Sequence, residues 1–199
     1  MFLRFALCVG AAALAIAGSQ PSWAQSPPIT QIKPDAPAET APAQPGAGFA
    51  EDTTLTAQTM VFVKGSGTWD NAFETITGAF KKLKAYTDKE GLKLDGLPMT
   101  IFTSTDDTGF QYEAALPITD QPKTPPRGDI SLGQSPEGHA LKFVHHGSYD
   151  DLDNTYEAIT NYLDDNRLEA KDMFIEQYVT DPLTSDASKL TVNVFVLIK

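Results

Sequence analysis

The succession of apolar and polar residues changes period several times along the chain, and those changes mark out its elements. Gln58 to Lys64 is rich in β-branched residues and reads as a strand. From Ala72 the period lengthens: Ala72, Ile76, Ala79 and Leu83 are spaced by four, three and four, which puts them on one helical face. Two extended runs follow, Met99–Ser104 and Gly109–Ile118, joined by the turn-forming residues Asp106-Asp107-Thr108-Gly109. After a proline-rich stretch from Thr119 to Glu137 the same order returns. His139 to His145 alternates, with His139, Leu141, Phe143 and His145 on one face. Leu152, Tyr156, Ile159 and Leu163 then have helical spacing, and Met173–Thr180 and Leu190–Ile198 are again extended.

The two halves match residue by residue. Gly67-Thr68-Trp69-Asp70 resembles Gly147-Ser148-Tyr149-Asp150 at an offset of 80 residues. Beyond the helices the offset falls to 76, pairing Leu92 with Leu168, Met99 with Ile175, Thr100 with Glu176 and Phe102 with Tyr178. A difference of four residues is about one helical turn, so the first helix should be one turn longer. Thr68 and Ser148 are expected N-caps, and Asp70 and Asp150 place charge where the helix dipole favours it. Each half is β-α-β-β, and neither can bury its sheet alone. The predicted fold is therefore α+β, with two pseudo-symmetric β-α-β-β repeats (about 58–118 and 138–199) packed around a central cleft. Ile76, Leu83, Leu152, Ile159 and Leu163 are expected in the core.

Upstream the pattern is of another kind. Residues 1–24 have the layout of a secretory signal: Arg4, an apolar run from Phe5 to about Ala17, then Ser22-Trp23-Ala24 at the cleavage site. The run is about a dozen residues, short of the roughly 20 that span a bilayer. Cleavage is expected, with no stable membrane insertion afterwards and a periplasmic or secreted product. Residues 25–52 read as a disordered Pro/Ala-rich linker, because six of the chain's 14 prolines lie between Gln25 and Gly48 and only Ile29 and Ile32 there are large and apolar. One folded domain remains, 53–199.

Composition removes several functions. Loss of residues 1–24 would take away one arginine and the single cysteine, Cys8, leaving 14 basic against 26 acidic residues, a net charge of −12. That balance argues against nucleic-acid binding, which needs Lys and Arg on phosphates. With no other cysteine there is no disulfide framework and no thiol nucleophile, and no G-x-S-x-G elbow is present. His145 and His146 point to opposite faces of a strand and cannot jointly hold one ion, so no metal or cofactor is expected.

The order His146-Gly147-Ser148-Tyr149-Asp150-Asp151-Leu152, a helix, Glu176-Gln177-Tyr178 and Asp181-Pro182 resembles the gyrase-inhibitor-like effector-binding domain, found also at the end of AraC-type and multidrug-sensing transcription activators. The resemblance covers roughly residues 58 to 199. It implies a cleft lined by aromatics around a buried carboxylate that attracts lipophilic, often cationic molecules. By position that carboxylate is Glu176. The ligand-binding residues expected are Glu176, Tyr178, Trp69, Tyr112, Tyr149 and Phe102, with none assigned as catalytic. Physical reasoning supports Glu176 independently, since a carboxylate among Met173, Phe174 and Ile175 is costly to bury unless a partner supplies charge. The alternative is a hydrolase of small electrophilic compounds, with Glu176 as general base and Tyr178 or Tyr112 as proton donor. A protein partner in the envelope is a third possibility.

Overall fold

The computed structural model describes residues 48–199; the expected leader (1–24) and residues 25–47 of the expected linker lie outside them. The chain order is β1 (Glu51–Leu55), β2 (Thr59–Thr68), α1 (Ala72–Glu90), β3 (Met99–Thr105), β4 (Gly109–Pro117), β5 (Ile130–Gln134), β6 (Gly138–Gly147), α2 (Leu152–Asn166), β7 (Ala170–Tyr178) and β8 (Leu190–Ile198). The eight strands form one antiparallel sheet in the order β1-β6-β8-β7-β3-β4-β2-β5. With two helices added, the fold is α+β.

Six strands lie where the period-two patterns predict them. The other two, β1 and β5, are short edge strands, and their register on β6 and β2 comes from long-range pairing. β1 begins at Glu51, inside the last residues read as linker, and is held to β6 by Lys142–Glu51 at 2.9 Å and His139–Asp52 at 2.8 Å. β5 lies within the proline-rich connection.

The helices differ in length as the offsets predict: 19 residues in α1 and 15 in α2. Each is entered through one 3-10 turn, Trp69–Asn71 and Tyr149–Asp151. Ser148 caps the second, its Oγ accepting from the Asp150 amide at 3.3 Å. Thr68 does not cap the first. Its hydroxyl donates instead to Asn71 Oδ1 at 3.1 Å, one turn ahead.

Ile76, Phe80 and Leu83 of α1 and Leu152, Ile159 and Leu163 of α2 are buried in one cluster with Val61, Phe143, Val192, Val194 and Val196. Alternate residues of the same strands, among them Met60, Ile101, Ile175 and Leu197, form a second cluster on the opposite face. Each large apolar side chain so buried contributes roughly 1.5–3 kcal/mol. β7 and β3 sit at the middle of the sheet, where Thr100, Glu176 and Tyr178 are buried.

Candidate ligand site: a carboxylate in a tyrosine cage

Strand alternation places Phe174, Glu176 and Tyr178 of β7 on the same side. β7 is paired on both flanks, Glu176 lying opposite Thr100 of β3 and Val194 of β8. Glu176 is 1% exposed. Three phenol hydroxyls donate to its carboxylate: Tyr178 to Oε2 at 2.6 Å, Tyr156 to Oε1 at 2.8 Å, and Tyr149 to Oε2 at 3.5 Å. Thr100 Oγ1 lies 3.5 Å from the Tyr178 hydroxyl. Tyr149 comes from the 3-10 turn before α2, Tyr156 from the second turn of α2, and Tyr178 from the strand of the carboxylate itself.

Each tyrosine is backed by a phenylalanine. Phe73 of α1 lies against Tyr149 with ring centroids 4.9 Å apart, Phe174 meets Tyr156 edge-on at 5.7 Å, and Phe80 of α1 meets Tyr178 edge-on at 5.4 Å. Such geometry is favoured by the ring quadrupoles and fixes where each hydroxyl points.

The electrostatics are lopsided. Burial raises the Glu176 pKa, while the hydroxyls of Tyr178, Tyr156 and Tyr149 oppose the rise by bonding to the charged form. Burial, then the neighbouring carboxylate, pushes all three tyrosines well above their usual value. Among the described residues, no Lys, Arg or His forms an ion pair with Glu176. The cage thus supplies hydrogen bonds without countercharge.

A histidine braces this arrangement. His145, buried at the end of β6, places Nε2 2.9 Å from the Ser148 carbonyl and Nδ1 2.8 Å from Thr155 Oγ1. Ser148 precedes Tyr149 and Thr155 precedes Tyr156, so one ring ties down both segments that bring hydroxyls from outside β7. His139 and His146 lie apart on the exposed surface, and no cluster of three or more His, Cys, Asp or Glu that could hold a metal occurs among the described residues.

Of the residues expected at the site, Glu176, Tyr178 and Tyr149 come together. Trp69, Phe102 and Tyr112 are not among the groups that bond Glu176. They pack around Phe110 elsewhere in the same apolar cluster, Trp69–Phe110 at 4.9 Å, Phe102–Phe110 at 5.4 Å and Phe110–Tyr112 at 5.6 Å. The Trp69 indole N–H donates to the Asp106 carbonyl at 2.8 Å, which turns the ring toward the β3–β4 connection. Glu113, another acid near the strands, forms an ion pair with Lys64 at 2.7 Å. Tyr156 is the residue the sequence does not single out. Its helical spacing with Leu152, Ile159 and Leu163 is what a core position would also show.

The profile of the GyrI-like small molecule binding domain matches residues 53–199. The chain belongs to the GyrI-like family. No functionally curated protein matches it in sequence. Its fold is similar to that of EcmrR. In the EcmrR–DNA complex the TM-score is 0.64 at 15% identity, over 75% of this chain and 57% of EcmrR, so the chain spans little more than half of that protein. Against the EcmrR C-terminal domain the values are 0.60 and 17%, over 75% of this chain and 96% of that one. A hydrolase from Listeria innocua has a TM-score of 0.55 at 16% identity, over 80% and 94% of the two chains. SAV2435, solved bound to tetraphenylphosphonium, has 0.51 at 15%, over 75% and 93%. At these identities the likeness is one of fold. What GyrI-like domains share is binding of small molecules.

Proposed function

We propose that this GyrI-like domain binds amphipathic small molecules that carry a positive charge, with Glu176 as their countercharge. The observation that carries this reading is a carboxylate 1% exposed, held by three hydroxyls and paired with no base. Hydroxyl donors offset only part of its desolvation, since the pKa remains raised. A bound cation supplies the rest by Coulomb attraction at low dielectric, and the surrounding aromatic faces add cation–π attraction. The cage is closed, so a ligand must displace at least one donor. Tyr149, at 3.5 Å, makes the longest of the three bonds and yields first. SAV2435 with its tetraphenylphosphonium, a lipophilic cation, gives the reading a precedent in the same fold. Titration with tetraphenylphosphonium tests it: Glu176→Gln should weaken binding at least tenfold, about 1.4 kcal/mol. Equal affinities for the two proteins would remove Glu176 from the site.

Hydrolysis is the second reading, favoured by the 2.6 Å bond between Tyr178 and Glu176. A carboxylate with a raised pKa beside a phenol donor suits a general base and acid acting on water and a strained ring. Loss of an epoxide substrate, abolished in Glu176→Gln while binding survives, would favour it over simple capture.

The scaffold we infer to be a duplicated unit with its axis at the site. In the register of β3 on β7, Thr100 faces Glu176. The offset of 76 makes the same two residues sequence equivalents. A twofold axis relating the halves therefore passes between them. Under that exchange the sheet order reads alike from both edges, β1-β6-β8-β7 against β5-β2-β4-β3. We also propose that the chain is exported; a mature protein beginning at Gln25, seen by N-terminal sequencing of the secreted or periplasmic fraction, checks this.

A further inference from the structure

Tyr178 has two neighbours. Its hydroxyl serves Glu176, but its ring also walls a half-open hollow of about 210 Å³ that Glu176 does not line. The innermost residues of the hollow are Tyr178, Phe80 and Leu116, all no more than 3% exposed. Leu97 and Leu183 form its sides. At its mouth stand Leu94 and Val179, 44% and 45% exposed.

Two charged residues border the space, and both are engaged elsewhere. Lys84 Nζ is 2.6 Å from both carboxylate oxygens of Asp88. Asp181 accepts from the Leu183 amide and from the Thr184 hydroxyl, each at 2.9 Å, and so caps its own turn. The hollow therefore offers apolar contact with no uncommitted charge. Its volume lies between the ~150 Å³ that encloses benzene and the ~300 Å³ at which drug-sized pockets begin.

We propose that this hollow is a second ligand subsite, taking a neutral aromatic body of one or two fused rings packed against Tyr178 and Phe80. The inference rests on the reading of Glu176 as the cation site to this extent: Tyr178 is common to both, so an amphipathic guest finds its apolar and its charged environments on two sides of one ring. The hollow stands on its own contacts, however, and binds a neutral ring whether or not Glu176 is charged.

The test uses the full chain with two probes, prodan as a neutral naphthalene whose emission reports apolar surroundings, and tetraphenylphosphonium as the cation. Leu183→Trp fills the hollow from its side, and Val179→Asp sets a charge at its exposed mouth where folding tolerates it. Prodan affinity should fall at least tenfold in the first and at least threefold in the second, while Glu176→Gln shifts it less than twofold. Three results overturn the subsite: no prodan binding to the parent chain, unchanged affinity in both hollow variants, or a loss in Glu176→Gln as large as theirs. Failure of the cation site has a separate signature, tetraphenylphosphonium affinity that ignores Glu176→Gln.

Discussion

A carboxylate buried without a base makes the protein pay for its site in stability. Because the Glu176 pKa is raised in the folded state, the neutral acid is the form that folding favours. The penalty is therefore absent below the ordinary carboxylate range and grows as pH rises through it toward the raised folded value. Glu176→Gln keeps the shape and removes the charge, but it exchanges one acceptor oxygen for an NH2 donor, which a tyrosine hydroxyl of the cage must turn to accept. At neutral pH it should stabilise the unliganded domain by about 1 kcal/mol, a rise of roughly 2–4 °C in Tm. The gap should close as pH falls below about 4. Thermal melts of both proteins across pH check this; a variant that melts lower at pH 7 would mean that the hydroxyl cage overcompensates the burial. The same substitution is expected to weaken cation binding, so stability and affinity should move in opposite directions, as expected of a functional residue rather than a structural one.

Among the elements, close approach of β2 and β4 depends on two glycines. A Cβ on Gly109 would lie 2.2 Å from the Gly67 carbonyl oxygen, a backbone atom that cannot move without breaking the pairing of Gly67 with Phe110 and of Thr68 with Gly109. Gly109→Ala should destabilise the domain by more than ~2 kcal/mol. Gly78 is the counter-case, exposed within α1 with nothing within 4 Å of a Cβ, and Gly78→Ala should stabilise by about 0.5–1 kcal/mol. Denaturant melts giving the same sign for both would refute the steric account. This contrast also shows what local sequence conveys. The alternation in β7 and the four-three-four spacing in α1 are local, and both were legible. β1 has no buried position in its pattern of exposures, so only its pairing with β6 makes it a strand. At the site, Glu176 stands out as a charge among apolar residues, whereas Tyr156 is hidden because one helical face serves core and cage alike. Trp69, Phe102 and Tyr112 were legible as aromatics, but their gathering around Phe110 depends on how β3 and β4 pair.

For the whole molecule, the inferred axis makes the asymmetry of the site informative. The tyrosines of the cage, Tyr149, Tyr156 and Tyr178, correspond through the offsets of 80 and 76 to Trp69, Ile76 and Phe102, none of which has a hydroxyl. All three phenols of the cage thus lie in the segment 138–199. The carboxylate lies where position 100 and position 176 face each other across β3 and β7. Thr100 already lies 3.5 Å from the Tyr178 hydroxyl, so an acid at position 100 could reach part of the same cage. Thr100→Glu alone would put two carboxylates side by side in a buried place, and should cost roughly 3 kcal/mol at neutral pH, relieved as acid protonates one of them. The exchange variant Thr100→Glu with Glu176→Thr restores a single acid at the axis. If the halves are equivalent there, it should recover most of that loss and retain measurable tetraphenylphosphonium binding. An exchange variant no more stable than the single Thr100→Glu would show that the two positions are not interchangeable, and the axis would have no place in the chemistry of the site.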